Sequence, residues 1–228
     1  MTNPTYSASL LEYLKEFILP ERWELLQSRV SERTRHITVA LEDIYQPQNA
    51  SAILRSADCF GIQDVHIIEN RNKYEINPKV EKGSHKWLTL HRYREKEQDN
   101  SPLCVDSLLK SGYSLIATSP HIESMDLDSL PLDKPIVIFL GTEMKGLRED
   151  TMSRCHHTLR IPMYGFTESL NLSVSAGIIM NRLRSRLEAS DMKFKLPMDQ
   201  QEEVLLDWLR KSLKKAPLLE ARFKEMYC

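Results

Sequence analysis

The chain has 228 residues, 41% hydrophobic and 28% charged, an ordinary globular composition that excludes wholesale disorder. Its 31 Lys and Arg against 32 Asp and Glu give a formal net charge of −1, so the global basic signature of many nucleic-acid binders is missing. No apolar run reaches the ~20 residues that cross a bilayer, and Glu12, Lys15 and Glu16 interrupt the N-terminal leucines, so neither a membrane span nor a signal peptide is expected and the default address is cytoplasmic.

Leu10, Leu11, Leu14, Phe17 and Ile18 recur at helical spacing until Pro20, and Trp23, Leu26 and Val30 mark a second short helix. Two amphipathic helices bury little alone, so they need a further surface. Strand 37–42 leads through Gln46-Pro47-Gln48-Asn49 into a helix near 50–60 closed by Gly61, and strand 64–68 follows. Trp87 to His91 reads as another short strand. Ser101 is expected to cap a helix with Pro102 in its first turn and Gly112 at its end, followed by strand 113–118. Ile136-Val137-Ile138-Phe139-Leu140, between Pro135 and Gly141, is too short for a helix and predicts a buried strand. A helix near 146–153, a strand near 158–161 and a helix opened by Ser169 continue the alternation. From Met198 two more helices follow, the first with Val204, Leu205, Trp208 and Leu209 apolar, divided at Ala216-Pro217.

This order predicts an α/β fold with a mostly parallel sheet covered by helices on both faces, and ligands gathered at the carboxyl ends of the strands. The main domain is expected over 35–188, with helical extensions at 1–34 and 189–228. Cys59, Cys104, Cys155 and Cys228 form no CxxC pair and read as reduced thiols. Cys155-His156-His157 lacks further ligands at metal-binding spacing, so no metal is expected. The stripe containing Trp208 reads as packing rather than as a base-stacking platform.

Three segments fall at strand ends: Asn49 to Asp58, Leu140 to Leu147, and Ile161 to Gly177. The second has two glycines but no Gly-Lys-Ser/Thr, and no GxGxxG follows any strand, so the common nucleotide motifs are excluded. In the third, Pro162, Gly165, Ser169 and Asn171 describe a tight loop feeding a helix, whose free N–H groups can hold a ligand.

Asn49…Ile53-Leu54-Arg55-Ser56-Ala57-Asp58, then Gly141-Thr142-Glu143…Gly146-Leu147, then Ile161-Pro162-Met163…Glu168-Ser169-Leu170-Asn171…Ser173…Ala176 resemble, in order and spacing, the three motifs of the SpoU family of RNA ribose 2′-O-methyltransferases, within the SPOUT superfamily. The resemblance covers roughly 35–185, and the helical ends make the chain look most like the family's tRNA (guanosine(18)-2′-O)-methyltransferase branch. It implies a C-terminal deep trefoil knot, a homodimer, S-adenosylmethionine as methyl donor and a tRNA D-loop as substrate. Ribosomal RNA as substrate, or a knotted RNA-binding protein without catalysis, are the alternatives.

By the same resemblance Thr118, Gly141, Ile161, Met163, Ser169 and Leu170 hold the cofactor, and Arg55 is central to catalysis with Asn49, Glu143, Ser169 and Asn171 in support. A guanidinium with a pKa of ~12 or above is an awkward general base, so Arg55 is read as gripping substrate phosphate and polarising the ribose. Asn49 could equally cap its helix, Glu143 could orient Arg55 or Asn49 or brace its loop, and Ser169 and Asn171 could be caps. Arg33, Arg35, Arg182, Arg184 and Arg186, within the basic segments of the chain, are the expected RNA contacts.

Overall fold

The computed structural model describes residues 6–75, 77–119 and 124–227; Cys228 lies outside them. In chain order the elements are α1 (Tyr6–Lys15), α2 (Pro20–Val30), β1 (Ile37–Glu42), α3 (Pro47–Cys59), β2 (Asp64–Ile68), α4 (Pro78–Glu81), a 3-10 turn (Ser84–Trp87), β3 (Thr89–Tyr93), α5 (Asn100–Lys110), β4 (Ser114–Thr118), β5 (Met125–Asp126), β6 (Ile136–Leu140), α6 (Glu149–Ser153), β7 (His157–Arg160), α7 (Leu172–Glu188), α8 (Met198–Ser212) and α9 (Ala216–Tyr227). The chain forms two compact units, one of residues 34–194 and one joining 1–33 with 195–228.

The larger unit is built on a seven-stranded sheet in the order β3-β2-β1-β6-β4-β7-β5. Every pairing among the described strands is parallel. Successive side chains of a strand face opposite ways, and the two faces have separate cores. Ile37, Val39 and Leu41 of β1, with Ile136, Ile138 and Leu140 of β6, pack with Ile53, Leu54 and Ala57 of α3 and Ile179, Met180 and Leu183 of α7. The intervening Ala40, Val137 and Phe139 meet Cys104, Val105 and Leu108 of α5. All five residues of β6 are buried, as its unbroken apolar run predicts. Full burial of such side chains contributes roughly 1.5–3 kcal/mol each.

Glu42 ends β1 and is 1% exposed. Its carboxylate accepts from Ser101 Oγ (2.6 Å), Thr151 Oγ1 (2.5 Å) and Arg148 N (3.0 Å). Those donors satisfy the charge that a buried carboxylate must shed or pair. They also tie β1 to α5, to α6 and to the end of the 141–148 loop. Burial, reinforced by the Glu42 charge, pushes the Cys155 thiol up to about 12, so it stays protonated at neutral pH. Cys59, Cys104 and Cys155 are all free thiols.

In the second unit α1 packs on α8 and α9, and α2 packs on α8. Leu10, Leu14, Trp23, Leu26, Val204, Trp208, Leu209 and Phe223 form its interior. The N-terminal helices thus bury their apolar stripes on the C-terminal ones, although the sequence reads as two separate extensions. Trp208, 1% exposed, is packing as its spacing predicts.

Candidate active site

The carboxyl ends of β4, β6 and β7 open onto one cavity of about 550 Å³. At β6 the chain turns back sharply. Thr142 and Gly146 exchange backbone hydrogen bonds of 3.0 and 2.9 Å, and Gly146 sits at a φ of 68°. A Cβ on Gly141 would lie 2.2 Å from both Gly146 C and Leu147 N, so the turn closes only over a glycine. Thr142 Oγ1 accepts from Lys145 N at 3.1 Å and completes the loop.

The third segment leaves β7 at Ile161 and runs without regular structure to Asn171, which caps α7. Asn171 Oδ1 accepts from Ser173 N at 2.9 Å, Val174 N at 3.4 Å and Ser173 Oγ at 2.6 Å. Of the two candidate caps, Ser169 and Asn171, it is Asn171 that caps, and the helix opens at Leu172, later than the expected start at Ser169. A similar shift occurs at α5, where Asp99 accepts from Ser101 N and replaces Ser101 as cap.

Asn171 also faces the first segment. Its Nδ2 donates to Asn49 Oδ1 at 3.0 Å, and Asn49 Nδ2 donates to Glu143 Oε1 at 2.8 Å and to Gln46 Oε1 at 3.3 Å. Glu143 accepts further from Gln46 N and Tyr45 N, both at 3.4 Å. Of the readings of Glu143, orientation of Asn49 is the one these bonds match; its bracing acts on the turn before α3, and no bond to Arg55 is present among the described residues. Gln46, not Asn49, is the N-cap residue of α3, and Asn49 lies within the first turn, 5% exposed. The acceptor-only carboxylate and the cap N–H groups fix which way each carboxamide points.

Thr118, Gly141, Ile161, Met163, Ser169 and Leu170 all line the cavity, with Asn49, Glu143 and Asn171. Thr118 Oγ1 is committed to the Phe139 carbonyl at 2.8 Å. Leu140, Leu159, Ile161, Leu170 and Ile179 supply apolar wall. Sequence reasoning missed Gln46, Ser119, Lys145 and Arg160, which also line it. Gln46, Lys145 and Arg160 lie within three residues of a motif position and Ser119 follows Thr118, and that adjacency was the available signal.

Arg55 is not among the lining residues. It is exposed on α3, six residues beyond Asn49, or about 9 Å further along the axis. Among the described residues it makes no hydrogen bond or ion pair.

The five arginines expected to meet RNA all have internal partners. Arg33 is 5% exposed with its guanidinium 5.1 Å from the Trp208 ring centre, and Arg186 donates to the carbonyls of Leu127 and Leu130 at 2.6 and 2.8 Å. Neither offers an open guanidinium, because distant parts of the chain supply better-placed acceptors and ring surface. Arg35 pairs with Asp64 at 3.2 Å, Arg182 with Asp128 at 2.6 Å and Arg184 with Glu188 at 2.5 Å. His156 Nδ1 accepts from Leu115 N at 2.9 Å, which gives the Cys155-His156-His157 run a role in the sheet. Among the described residues no His, Cys, Asp and Glu group is arranged to hold a metal.

The chain matches a model described as the SpoU rRNA Methylase family over residues 36–181. It is 36% identical to the tRNA (guanosine(18)-2′-O)-methyltransferase of Borreliella burgdorferi, over 91% of this chain and 93% of that protein. The Thermus thermophilus protein of the same name is 30% identical over 84% of this chain and 99% of its own. Among solved structures, the TrmH/SpoU tRNA modifying enzyme of A. aeolicus superposes with a TM-score of 0.75 at 26% identity, covering 85% of this chain and 97% of that one. With three motifs folded onto one cavity and sequence similarity extending beyond them toward both ends, the chain belongs to the SpoU rRNA methylase family.

Proposed function

We propose that the chain transfers a methyl group from S-adenosylmethionine to a ribose 2′-oxygen of RNA, with guanosine 18 in the D-loop of tRNA as the target. The observation that carries this reading is the Asn171–Asn49–Glu143 relay on the wall of a cavity lined by all six residues expected to hold the cofactor. The named substrates of the Borreliella burgdorferi and Thermus thermophilus relatives support tRNA over ribosomal RNA.

The cavity fits the donor. Its volume is in the range of small-molecule sites, its aliphatic walls suit an adenosine face, and the tight 141–147 turn presents backbone groups there. When bound, the donor supplies an electrophilic sulfonium methyl. Thr118, Gly141, Ile161, Met163, Ser169 and Leu170 would hold it.

The protein's own task is to orient a weak nucleophile. Asn49 Nδ2 has both hydrogens engaged, by Glu143 and Gln46, whereas Asn49 Oδ1 keeps a lone pair and Asn171 Nδ2 keeps a hydrogen. A ribose hydroxyl needs one acceptor and one donor to be fixed, and these two atoms offer both. Arg55, exposed on α3, grips a neighbouring phosphate of the bound RNA. Arg182, an exposed cation whose partner Asp128 is a surface carboxylate, can exchange it for a phosphate at little cost, whereas Arg184 is held over the Phe194 ring at 4.8 Å with its side chain only 12% exposed.

Three companion proposals follow. The 141–188 segment is threaded as a trefoil knot, a reading supported by the chain's return from β7, beyond β4, to Asn49 beside β1; a crystal structure traced through it tests this. A second copy covers Leu170, Val174 and Ile178, which are 38%, 48% and 39% exposed; equilibrium sedimentation of the wild type and of Ile178→Glu tests this. The cytoplasm, where tRNA is used, is the proposed location, and cell fractionation tests it.

For the activity, pure protein is incubated with labelled S-adenosylmethionine and unmodified tRNA or ribosomal RNA, and the methylated ribose is mapped. Label in tRNA at one D-loop guanosine is the expected outcome. Label confined to ribosomal RNA overturns the substrate, and label in neither, with RNA still bound, overturns the enzyme.

A further inference from the structure

Gln46, Asn49 and Asn171 line a second concavity as well as the first, and Tyr45, Pro47 and Gln48 complete it. The two spaces therefore share one wall, built of three carboxamides. The second is shallow, about 670 Å³, and every side chain lining it is uncharged.

Tyr45 is 72% exposed, an unusual position for a large aromatic ring. Its backbone is tied to the site, because its N–H donates to Glu143 Oε2 at 3.4 Å, the carboxylate that also holds Asn49. Gln48 is exposed too, and its carboxamide makes no hydrogen bond among the described residues. An aromatic face beside unengaged amide donors and acceptors, without cations, is poorly suited to a phosphate. It is well suited to an unstacked nucleobase, which has a flat face to stack and polar edges to read.

We propose that this depression receives the base of the methyl-accepting nucleoside, with Tyr45 stacking on it, Gln48 reading its edge, and the attached ribose lying across Asn49 and Asn171 toward the cofactor cavity. This rests on the methyl-transfer reading above. It places base recognition on the turn that leads into the first motif, away from the residues that hold the donor.

The test is a two-way cycle on tRNA transcripts, one with its natural base at the methylated nucleotide and one with an abasic ribose there. On natural tRNA, Tyr45→Ala lowers kcat/KM by about five- to a hundredfold, the range of one base stack, and Tyr45→Phe recovers most of that loss. With wild-type protein the abasic transcript loses a similar factor, and Tyr45→Ala on the abasic transcript loses no more. Calorimetry with S-adenosylhomocysteine shows the same affinity for wild type and Tyr45→Ala, which establishes that the variant is folded. Unchanged kcat/KM in Tyr45→Ala, or losses that multiply on the abasic transcript, overturn the base platform while leaving methyl transfer standing. A wild-type protein that binds S-adenosylhomocysteine yet methylates no RNA overturns both.

Discussion

Asn171 and Asn49 lie 122 residues apart and are joined by a 3.0 Å hydrogen bond, with Asn171 Nδ2 donating to Asn49 Oδ1. The other end of Asn171 caps α7, so one side chain does two jobs that substitution can separate. Asn171→Asp keeps the capping oxygen and suits a helix N-terminus. However, it sets a carboxylate against Asn49 Oδ1, and turning the Asn49 amide over would set its oxygen against Glu143. The expected result is a Tm within about 2 °C of wild type with methyl transfer largely lost. Asn171→Ala loses the cap as well, about 1 kcal/mol, or roughly 2–4 °C for a chain of this size. Full activity in Asn171→Asp would reduce the residue to a cap.

Gly141 and Gly146 flank the same turn for different reasons. Gly141→Ala drives a methyl into the backbone of Gly146 and Leu147, which cannot rotate away. The turn must open, and S-adenosylhomocysteine affinity is expected to fall at least about tenfold, with a lower Tm. At Gly146 a Cβ meets nothing within 4 Å, and the only penalty is its φ of 68°, worth about 1–2 kcal/mol. Gly146→Ala should therefore melt earlier yet bind with much less loss. Equal binding losses in calorimetry would show that the clash is not what closes the loop.

Arg55 offers the opposite contrast. An exposed side chain with no hydrogen bond or ion pair among the described residues contributes little to folding, within about 0.5 kcal/mol. Arg55→Ala and Arg55→Lys should keep the wild-type Tm and S-adenosylhomocysteine affinity while kcat/KM on tRNA falls by at least about tenfold, since lysine keeps charge but loses the planar fork. Near-normal turnover in Arg55→Lys would remove the geometric role.

What the sequence made legible was set by how local each determinant is. The strand at 136–140 and the helix expected near 50–60 show in short windows, because a continuous apolar run and a glycine stop are local properties; the helix in fact starts three residues earlier, at Pro47. α4 and β5, four and two residues long, carry too few positions for a period to show. The cap of α5 slipped by two residues, from Ser101 to Asp99, and the start of α7 shifted from Ser169 to the other candidate cap, Asn171, because several residues able to cap stand close together at both places. The cavity-lining residues were found through the motif resemblance, not through periodicity. The relay escaped pattern reading because its partners are 94 and 122 residues apart. Glu42 looked like an ordinary strand end, and Arg33 like a solvated cation, for the same reason: their partners come from distant segments.

On β2, one strand in from the β3 edge of the sheet, His66 gives the protein a predictable acid sensitivity. It pairs in register with His91, the two rings stack at 4.6 Å, and its Nδ1 lies 3.2 Å from Tyr93 Oη. Burial is the main cause that pushes its pKa down to about 4, the His91 charge adds to this, and Asp64 opposes it. Unfolded, the imidazole takes a proton near the ordinary value of about 6.5. Stability from keeping His66 neutral is thus fully present above that pH. It drains away as pH falls toward 4, by up to about 3 kcal/mol. For Asp64, burial opposes the charged form, but His91 and Arg35 outweigh it and hold the carboxyl below its usual range, so its contribution is lost only at still lower pH. Urea melts at pH 7, 6, 5 and 4.5 should show the wild type losing stability through this window, while His66→Gln, less stable at pH 7, shows a flatter profile. A wild-type profile as flat as the variant's would mean that folded His66 accepts its proton as readily as the unfolded chain does.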